Sequence, residues 1–311
     1  MPQAIDKTRA LLDLKLRPDY ETVREIIGIL CERYDFLSVT SLGETVMGRS
    51  IYMLNLGDEA AEDEVFYVGC HHATEWITTL ILLKFINEYC EYYKASSKAF
   101  GINMQKLYSS VCIHIVPFLN ADGAELHLNG TDKGSLLYER QMRLSGGDFS
   151  SWQANARGVD LNHNYDAGFY EYKLLEATRG IGAGPTRYSG PSPESEPEVG
   201  AIANYLRFND RIRMVLTFHS QGEEIYYTSD GKCHPKAYGI AKQLELLSGY
   251  TLAEAKGLAS YGGLTDWCIK ELQLPSFTIE VGKGKNPLPL SELCSVYTEI
   301  RRMLFSAPLL I

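Results

Sequence analysis

Three apolar, strand-like stretches of this sequence each end on residue types that bind metal ions or move protons. Because ligands of open sheets gather at the carboxyl ends of strands, residues that follow different strands can meet at one edge of the sheet. Each residue alone is weak evidence, since a lone glutamate, for example, often stands at a helix N-terminus. The stretches and the residues after them are Glu64–Cys70 with His71, His72 and Glu75, Met214–Phe218 with His219, and Ser276–Ile279 with Glu280.

These residue types together point to one kind of chemistry. Two histidines and a carboxylate suit a zinc ion that keeps one coordination position open, as catalytic zinc sites do. A further carboxylate nearby can take a proton from the water that such an ion activates. The pattern therefore predicts a zinc hydrolase, with both His71 and His72 as candidates for the first ligand.

The remaining sequence predicts the elements that must position these residues. Strands alternate with helices along most of the chain and no linker divides it, which favours one α/β domain with a mostly parallel or mixed sheet. Two polar stretches, about 129–158 and 179–197, are predicted loops that could form walls of a binding site. Periodicity indicates helices near 19–34, 76–93, 235–247, 264–272 and 290–305, and strands near 37–42, 49–56, 64–70, 111–116, 214–218, 224–228 and 276–281.

The second polar stretch ends in a predicted helix start. In Ser195-Glu-Pro-Glu198, we expect Ser195 to be the N-cap residue and Glu198 to complete a capping box.

Composition narrows the class of protein. The chain has 311 residues, 45% of them hydrophobic, which is enough for a core of native size. Its 39 acidic and 30 basic residues give a net charge of −9, which argues against nucleic acid as a partner. The seven cysteines are odd in number and form no C-x-x-C pair, as is typical of a reducing compartment. With no signal-peptide pattern and no membrane-spanning run, we expect a cytoplasmic protein, or an exported one if the sequence is a trimmed form.

Several motifs resemble those of the zinc metallocarboxypeptidase family, the funnelins. His72-Ala-Thr-Glu75-Trp76 resembles the family's H-x-x-E motif, and Phe218-His219-Ser220 resembles the H-S motif that carries the third zinc ligand. The further matches, in the family's order, are Asn120-Ala-Asp122-Gly123 to N-P-D-G, Gly158-Val-Asp160-Leu-Asn162-His163-Asn164-Tyr165 to G-V-D-x-N-R-N-(F/W), Gly262-Gly263-Leu-Thr-Asp266-Trp267 to G-G-x-x-D-W, and Phe277-Thr-Ile-Glu280 to F-T-x-E.

The resemblance covers roughly residues 19–305 and carries expectations for the whole chain. It implies an α/β/α sandwich with a mixed, eight-stranded central sheet, as a single catalytic domain over residues 1–311. It implies one Zn²⁺ per chain, with His72, Glu75 and His219 as ligands and Glu280 as general base and acid. His72 is favoured over His71 as the first ligand, because Glu-Trp follows His72 at the family's spacing.

The resemblance also assigns residues around the metal ligands. Asp160 falls on the position that accepts a hydrogen bond from the first ligand histidine and so fixes its tautomer. His163 stands where family members use an arginine, a bidentate donor, to bind the terminal carboxylate of a peptide. Gln153 replaces the arginine that polarises the scissile carbonyl, and can still donate a hydrogen bond. Tyr261 is the tyrosine nearest to the one expected before the glycine pair. Substrate contacts are therefore expected at Gln153, Asn162, His163 and Tyr261.

Two longer stretches are similar to one bacterial branch of the family, the γ-D-glutamyl-meso-diaminopimelate peptidases. Trp152-Gln-Ala-Asn-Ala-Arg157-Gly-Val-Asp-Leu-Asn162 resembles W-K-A-N-x-R-G-V-D-L-N, and Glu280-Val-Gly-Lys-Gly-Lys-Asn286-Pro-Leu-Pro289 resembles E-x-G-x-G-x-N-P-L-P. The branch implies a murein-peptide substrate, in recycling of wall fragments or in sporulation. The candidate cations for the substrate carboxylates are Arg157, Arg187, Lys283 and Lys285.

Other functions stay open at this point. A carboxypeptidase acting on ordinary peptides is one, although His163 in place of arginine counts against it. An amidase acting on another acylated amino acid is a second. A catalytically inactive binding protein on the same fold is a third, from a different class, and the presence of all three ligands and Glu280 counts against it.

Overall fold

The computed structural model describes residues 16–311, in which an eight-stranded mixed sheet runs through the centre. The strands are β1 (Ser38–Glu44), β2 (Ser50–Leu56), β3 (Asp63–Gly69), β4 (Lys98–Ala99), β5 (Ile102–Asn103), β6 (Val111–Val116), β7 (Ile212–His219), β8 (Glu224–Tyr226), β9 (Thr251–Ala253) and β10 (Ser276–Glu280). Their order across the sheet is β1-β2-β6-β3-β7-β10-β8-β9, and β4 and β5 form a separate two-stranded ribbon.

The centre of the sheet is parallel and its flanks are partly antiparallel. Strands β6, β3, β7 and β10 are parallel neighbours, whereas β2 on one side and β8 on the other run antiparallel to them. All six residues of β6 are buried, and seven of the eight residues of β7 are buried. Strands covered on both faces read as continuous apolar runs, which is why these segments are recognisable in the sequence.

Helices cover both faces of the sheet, as in an α/β/α sandwich. The helices are α1 (Tyr20–Arg33), α2 (Ile77–Lys94), α3 (Met104–Ser110), α4 (Ala121–Asn129), α5 (Tyr138–Ser145), α6 (Phe169–Arg179), α7 (Pro197–Arg207), α8 (Ala237–Ser248), α9 (Leu264–Lys270) and α10 (Leu293–Ser306). One face packs against α1, α2, α3, α8 and α10, and the other packs against α7 and α9. This confirms the predicted fold class with its mixed, eight-stranded sheet.

The structure corrects two local predictions. The polar stretch 129–158 contains helix α5, whose Met142 and Leu144 pack against a small core cluster. The helix has only eight residues, which is too short for its apolar side to stand out among the polar residues around it. The N-cap of α7 is Glu196 and not Ser195, because Pro197 occupies the first helical turn. The predicted capping box between Ser195 and Glu198 is therefore wrong. The hydroxyl of Ser195 instead donates a hydrogen bond to the Glu196 carboxylate at 2.9 Å.

Within residues 16–311, no helix combines the length and apolar character needed to cross a lipid bilayer. The prediction about the N-terminal segment falls outside the described part of the chain.

Candidate active site

A sharp turn after the central strand β3 presents the first two candidate metal ligands. Cys70 adopts a left-handed conformation with φ 59°, and its N–H donates to the Thr78 hydroxyl at 2.9 Å. A 3₁₀ turn at Ala73–Glu75 follows and leads into α2. The turn places His72 and Glu75 close together, so that Nδ1 of His72 lies 3.0 Å from Oε1 of Glu75.

Strands β7 and β10 end side by side at the same edge of the sheet. In their parallel register, His219 is the partner of Glu280, and each is the last residue of its strand. On its other side β7 pairs with β3, with Gly69 opposite Phe218. Hydrogen bonding between neighbouring strands thus brings together side chains that are far apart in the chain.

His72, Glu75 and His219 form one compact cluster, whose ligand atoms all lie within 4.8 Å of one another. Nδ1 of His219 is 2.9 Å from Oε2 of Glu75 and 3.3 Å from Nδ1 of His72. No other group of metal-binding side chains as close as this occurs in residues 16–311.

The electrostatics of the cluster fit a cation. Burial opposes charge on Glu75, but His72 and His219 outweigh it and lower the pKa of Glu75 to about 2. For His72, burial again opposes the charge, whereas Glu75 and Asp160 raise its pKa well above the usual range. Two ring nitrogens and a carboxylate oxygen thus converge on one point, where a cation would contact all three. Two imidazoles and a carboxylate are also a donor set that zinc binds in catalytic sites, so these residues fit the ion.

Asp160 holds the other side of the first histidine. It lies at the start of a 3₁₀ turn, and its Oδ1 is 3.2 Å from Nε2 of His72. Because Nδ1 faces the cluster, Nε2 carries the proton and donates to this carboxylate. Burial opposes the charge of Asp160, but His72 and His163 lower its pKa below the usual range. Asp160 thus stays ionised and orients the ring of His72.

His71, the competing candidate for the first ligand, has both ring nitrogens engaged elsewhere. Its Nε2 is 3.1 Å from the Tyr165 hydroxyl and its Nδ1 is 3.3 Å from the Thr217 hydroxyl. The side chain is buried, and burial lowers the pKa of His71. The geometry therefore places His72, and not His71, in the cluster.

Glu280 faces a cleft beside the cluster, with an empty volume of about 670 Å³. Burial, reinforced by the charge of Glu75, raises the pKa of Glu280 well above the usual range. The floor of the cleft includes a hydroxyl pair, Thr265 and Thr278, whose Oγ1 atoms are 2.8 Å apart. The lining residues are His72, Asn162, His163, Tyr226, Thr228, Ala255, Ala259, Gly263, Thr265, Asp266, Thr278 and Glu280.

Two of the four expected substrate contacts, Asn162 and His163, line this cleft. Nδ1 of His163 lies 2.8 Å from the backbone oxygen of Tyr261, and its ring stacks on Tyr172 with centroids 4.0 Å apart. Oδ1 of Asn162 accepts a hydrogen bond from the N–H of Leu264 at 3.2 Å. The ring of His163 is therefore held in a fixed plane at the wall of the cleft.

The other two expected contacts, Gln153 and Tyr261, lie outside the lining of the cleft. Gln153 is tied to the metal-binding turn, because its backbone oxygen accepts the N–H of Ala73 at 2.9 Å. Its side-chain oxygen accepts the Thr186 hydroxyl at 2.7 Å, which leaves the amide nitrogen as the donor. The ring of Tyr261 packs against Gly168, where an added Cβ would come within 2.6 Å of it.

Sequence reasoning assigned no role to several residues of the site. Nδ2 of Asn286 donates to Oε1 of Glu75 at 3.3 Å, although 211 residues separate them. Nδ2 of Asn120 donates to the backbone oxygen of His71 at 2.9 Å. Both asparagines stand in recognised motifs, which is the signal that could have identified them. Tyr226 and Thr228, which line the cleft from the β8 edge, stand in none of these motifs.

Comparison with known proteins places the chain in a family. The model of the zinc carboxypeptidase family matches residues 27–302. Gamma-D-glutamyl-L-diamino acid endopeptidase 1 of Lysinibacillus sphaericus is 32% identical over 283 residues, covering 90% of this chain and 69% of that protein. The uncharacterized protein YqgT of Bacillus subtilis (strain 168) is 34% identical over 295 residues, covering 94% and 77%.

Solved structures agree on the fold. Carboxypeptidase A from Helicoverpa armigera superposes with a TM-score of 0.72 at 18% identity, covering 99% of this chain and 80% of that one. Together with the family match over residues 27–302, this shows that the chain belongs to the zinc carboxypeptidase family and is a metallopeptidase.

Proposed function

We propose that the protein hydrolyses the bond between the γ-carboxyl of D-glutamate and meso-diaminopimelate in murein peptides. The main support for this proposal is the set of residues that line the cleft. Among the residues that line it in the described structure, there is neither arginine nor lysine, and His163 stands where an arginine would bind a terminal carboxylate. A peptide recognised mainly by a carboxylate beside the scissile bond would find no charged partner there.

The polar groups of the cleft favour a substrate with a second amino group. Asp266 and the Thr265–Thr278 hydroxyl pair offer acceptors to an ammonium group at the far end of a side chain. Diaminopimelate carries such a group. The 32% identity to an enzyme named for a γ-D-glutamyl bond to an L-diamino acid supports the same substrate class.

In this proposal His72, Glu75 and His219 hold one Zn²⁺ per chain. The bound ion supplies a positive charge that acidifies water and polarises the scissile carbonyl. Glu280 accepts the proton of the attacking water and returns it to the leaving amino group. Its burial beside Glu75 suits this role, because both raise the pKa of a group that must hold a proton between two steps.

Gln153 and Asp160 complete the proposed machinery. The amide nitrogen of Gln153 donates to the oxygen on which negative charge develops, and Thr186 fixes the orientation of that amide. Asp160 keeps His72 in the tautomer that binds through Nδ1.

We propose that one catalytic domain, with its core at about residues 19–305, carries this activity. A cytoplasmic location stays a prediction.

The test is mass spectrometry of the products formed from L-Ala-γ-D-Glu-meso-diaminopimelate. We expect L-Ala-D-Glu and free diaminopimelate as products. The matching L-lysine peptide keeps the distal ammonium group and lacks only the distal carboxylate, so its cleavage is at least ~100-fold slower if the enzyme also pairs that carboxylate. Equal turnover of the two would mean recognition of diamino acids in general. Preferential cleavage of hippuryl-Phe or hippuryl-Arg would instead identify a carboxypeptidase of ordinary peptides.

A further inference from the structure

Arg187 lies in the loop between α6 and α7, which contacts residues around the cluster of His72, Glu75 and His219. Its N–H donates to Oδ2 of Asp160 at 3.0 Å, and the other oxygen of that carboxylate contacts His72. The preceding residue, Thr186, donates to the side chain of Gln153 at 2.7 Å. The segment 186–187 is therefore bonded to the residue that holds the first ligand and to the residue proposed to stabilise the scissile carbonyl.

The backbone of Arg187 is held from a second direction. Its carbonyl oxygen accepts the hydroxyl of Tyr172 at 3.0 Å, and the ring of Tyr172 stacks on His163. Arg187 also adopts a left-handed conformation with φ 67°, which costs a non-glycine residue roughly 1 kcal/mol. Arg187 is thus connected through Tyr172 to His163, which stands where family members have their carboxylate-binding arginine.

The guanidinium of Arg187 is available to a ligand. The side chain is exposed, and no carboxylate within residues 16–311 forms an ion pair with it. Two other candidate cations are already paired, because Arg157 lies 3.5 Å from Glu196 and Lys283 contacts Glu223. Lys285 is exposed and adjoins Asn286, which hydrogen-bonds Glu75 and Ser220.

The chemistry of the proposed substrate supplies a partner for this charge. In a γ-linked D-glutamyl residue the α-carboxylate is free, and it lies four carbon–carbon bonds, about 5 Å, from the scissile carbonyl. Thr186 bonds Gln153, the residue proposed to contact the scissile carbonyl, so the arginine that follows Thr186 is the candidate partner for a carboxylate at that distance on the acyl side. Guanidinium groups bind carboxylates bidentately, which adds direction as well as charge.

We infer that Arg187 is a specificity-determining residue that binds the free α-carboxylate of the γ-D-glutamyl residue. This inference rests on the proposed function, since it takes the γ-D-glutamyl bond as the bond that is cleaved. The positive charge that binds the substrate then lies on the acyl side of the scissile bond, and not on the leaving-group side, where His163 stands.

The experiment compares two substrates that differ only at that carboxylate: L-Ala-γ-D-Glu-meso-diaminopimelate and its α-carboxamide, the D-isoglutaminyl peptide. We expect the wild-type enzyme to favour the free acid in kcat/KM by roughly 10- to 100-fold, the factor for one hydrogen bond to a charged group. Arg187→Gly, which suits the left-handed backbone, should bring that ratio close to one at unchanged zinc content. Arg187→Lys should keep part of the preference, because it keeps the charge.

Arg179→Ala is the matched control, since Arg179 is an exposed arginine at the end of α6 and should leave the ratio as in the wild type. If Arg187→Gly retains the wild-type ratio, or slows both substrates equally, the inference is overturned. If the wild-type enzyme cleaves neither peptide while it binds zinc, the proposed function fails instead, so the two failures are distinguishable.

Discussion

Replacing Asp160 by asparagine tests how much one carboxylate contributes to metal binding. Asp160 is buried and accepts three hydrogen bonds, from Nε2 of His72 at 3.2 Å, the N–H of Asn162 at 3.2 Å and the N–H of Arg187 at 3.0 Å. Asparagine keeps only one acceptor oxygen. If that oxygen faces His72, the new amide group points its hydrogens at the N–H of Arg187. If it is reversed, the donor amide favours the tautomer of His72 that cannot bind through Nδ1.

The size of the effect follows from the role of this contact. Loss of a carboxylate that orients a histidine ligand lowers metal affinity by about 10- to 100-fold, or roughly 1.4–2.8 kcal/mol. We therefore expect Asp160→Asn to raise the Kd for zinc by that factor, measured by competition with a chromogenic chelator. Asp166→Asn, the same change at an exposed neighbouring position, is the control. Melting curves in excess zinc check that the variant folds. A Kd within twofold of the wild type in a folded Asp160→Asn variant would refute the reasoning.

Three other substitutions test separate parts of the molecule. His72→Ala should lose most zinc and activity, because two protein ligands bind zinc poorly, whereas His71→Ala should keep the metal; the opposite result in a metal analysis would make His71 the ligand. Glu280→Gln should keep zinc and fold but lower kcat by at least ~100-fold, and substantial turnover would remove Glu280 from the mechanism. Burial, reinforced by the charge of Asp122, raises the pKa of Glu198 from 4.5 to about 7. Because the unfolded chain ionises at the lower pH, the free energy of unfolding falls by roughly 3 kcal/mol as pH rises through this range. Glu198→Gln, which imitates the protonated form, should therefore lose less thermal stability than the wild type between about pH 5 and pH 8, and an unchanged pH dependence of Tm would contradict this.

The strand ends of the site could be predicted from the sequence because each is marked by the apolar run directly before it. The runs before His72, His219 and Glu280 are apolar, since these strands are covered on both faces. Parallel strands that end at one edge must then bring the following side chains together. The motif spacing adds the choice between His71 and His72, and the cluster in the structure contains His72.

What the sequence did not predict depends on tertiary contacts or on a competing local rule. Helix α5 has only eight residues and one fully buried side chain, so its hydrophobic period is too short to be recognised in the sequence. At the start of α7, proline in the first turn decides the boundary over the serine before it. The Thr265–Thr278 pair joins a helix to a strand, and Asn286 reaches Glu75 from a distant loop. Thr278 and Asn286 stand in recognised motifs, but the motifs do not show which residues these side chains contact.

The wide separation of the two proposed histidine ligands has a consequence for how the chain folds. His72 and His219 are 147 residues apart, and they meet only when β7 has paired with β3. An ion at this proposed site therefore could not organise a short segment early in folding, as zinc does in small domains whose ligands are close in sequence. It would bind once the central sheet exists, and would then stabilise the assembled molecule by mass action. Chelation should leave a folded chain, whereas a substitution that weakens the β3–β7 pairing should appear in an assay as a loss of zinc.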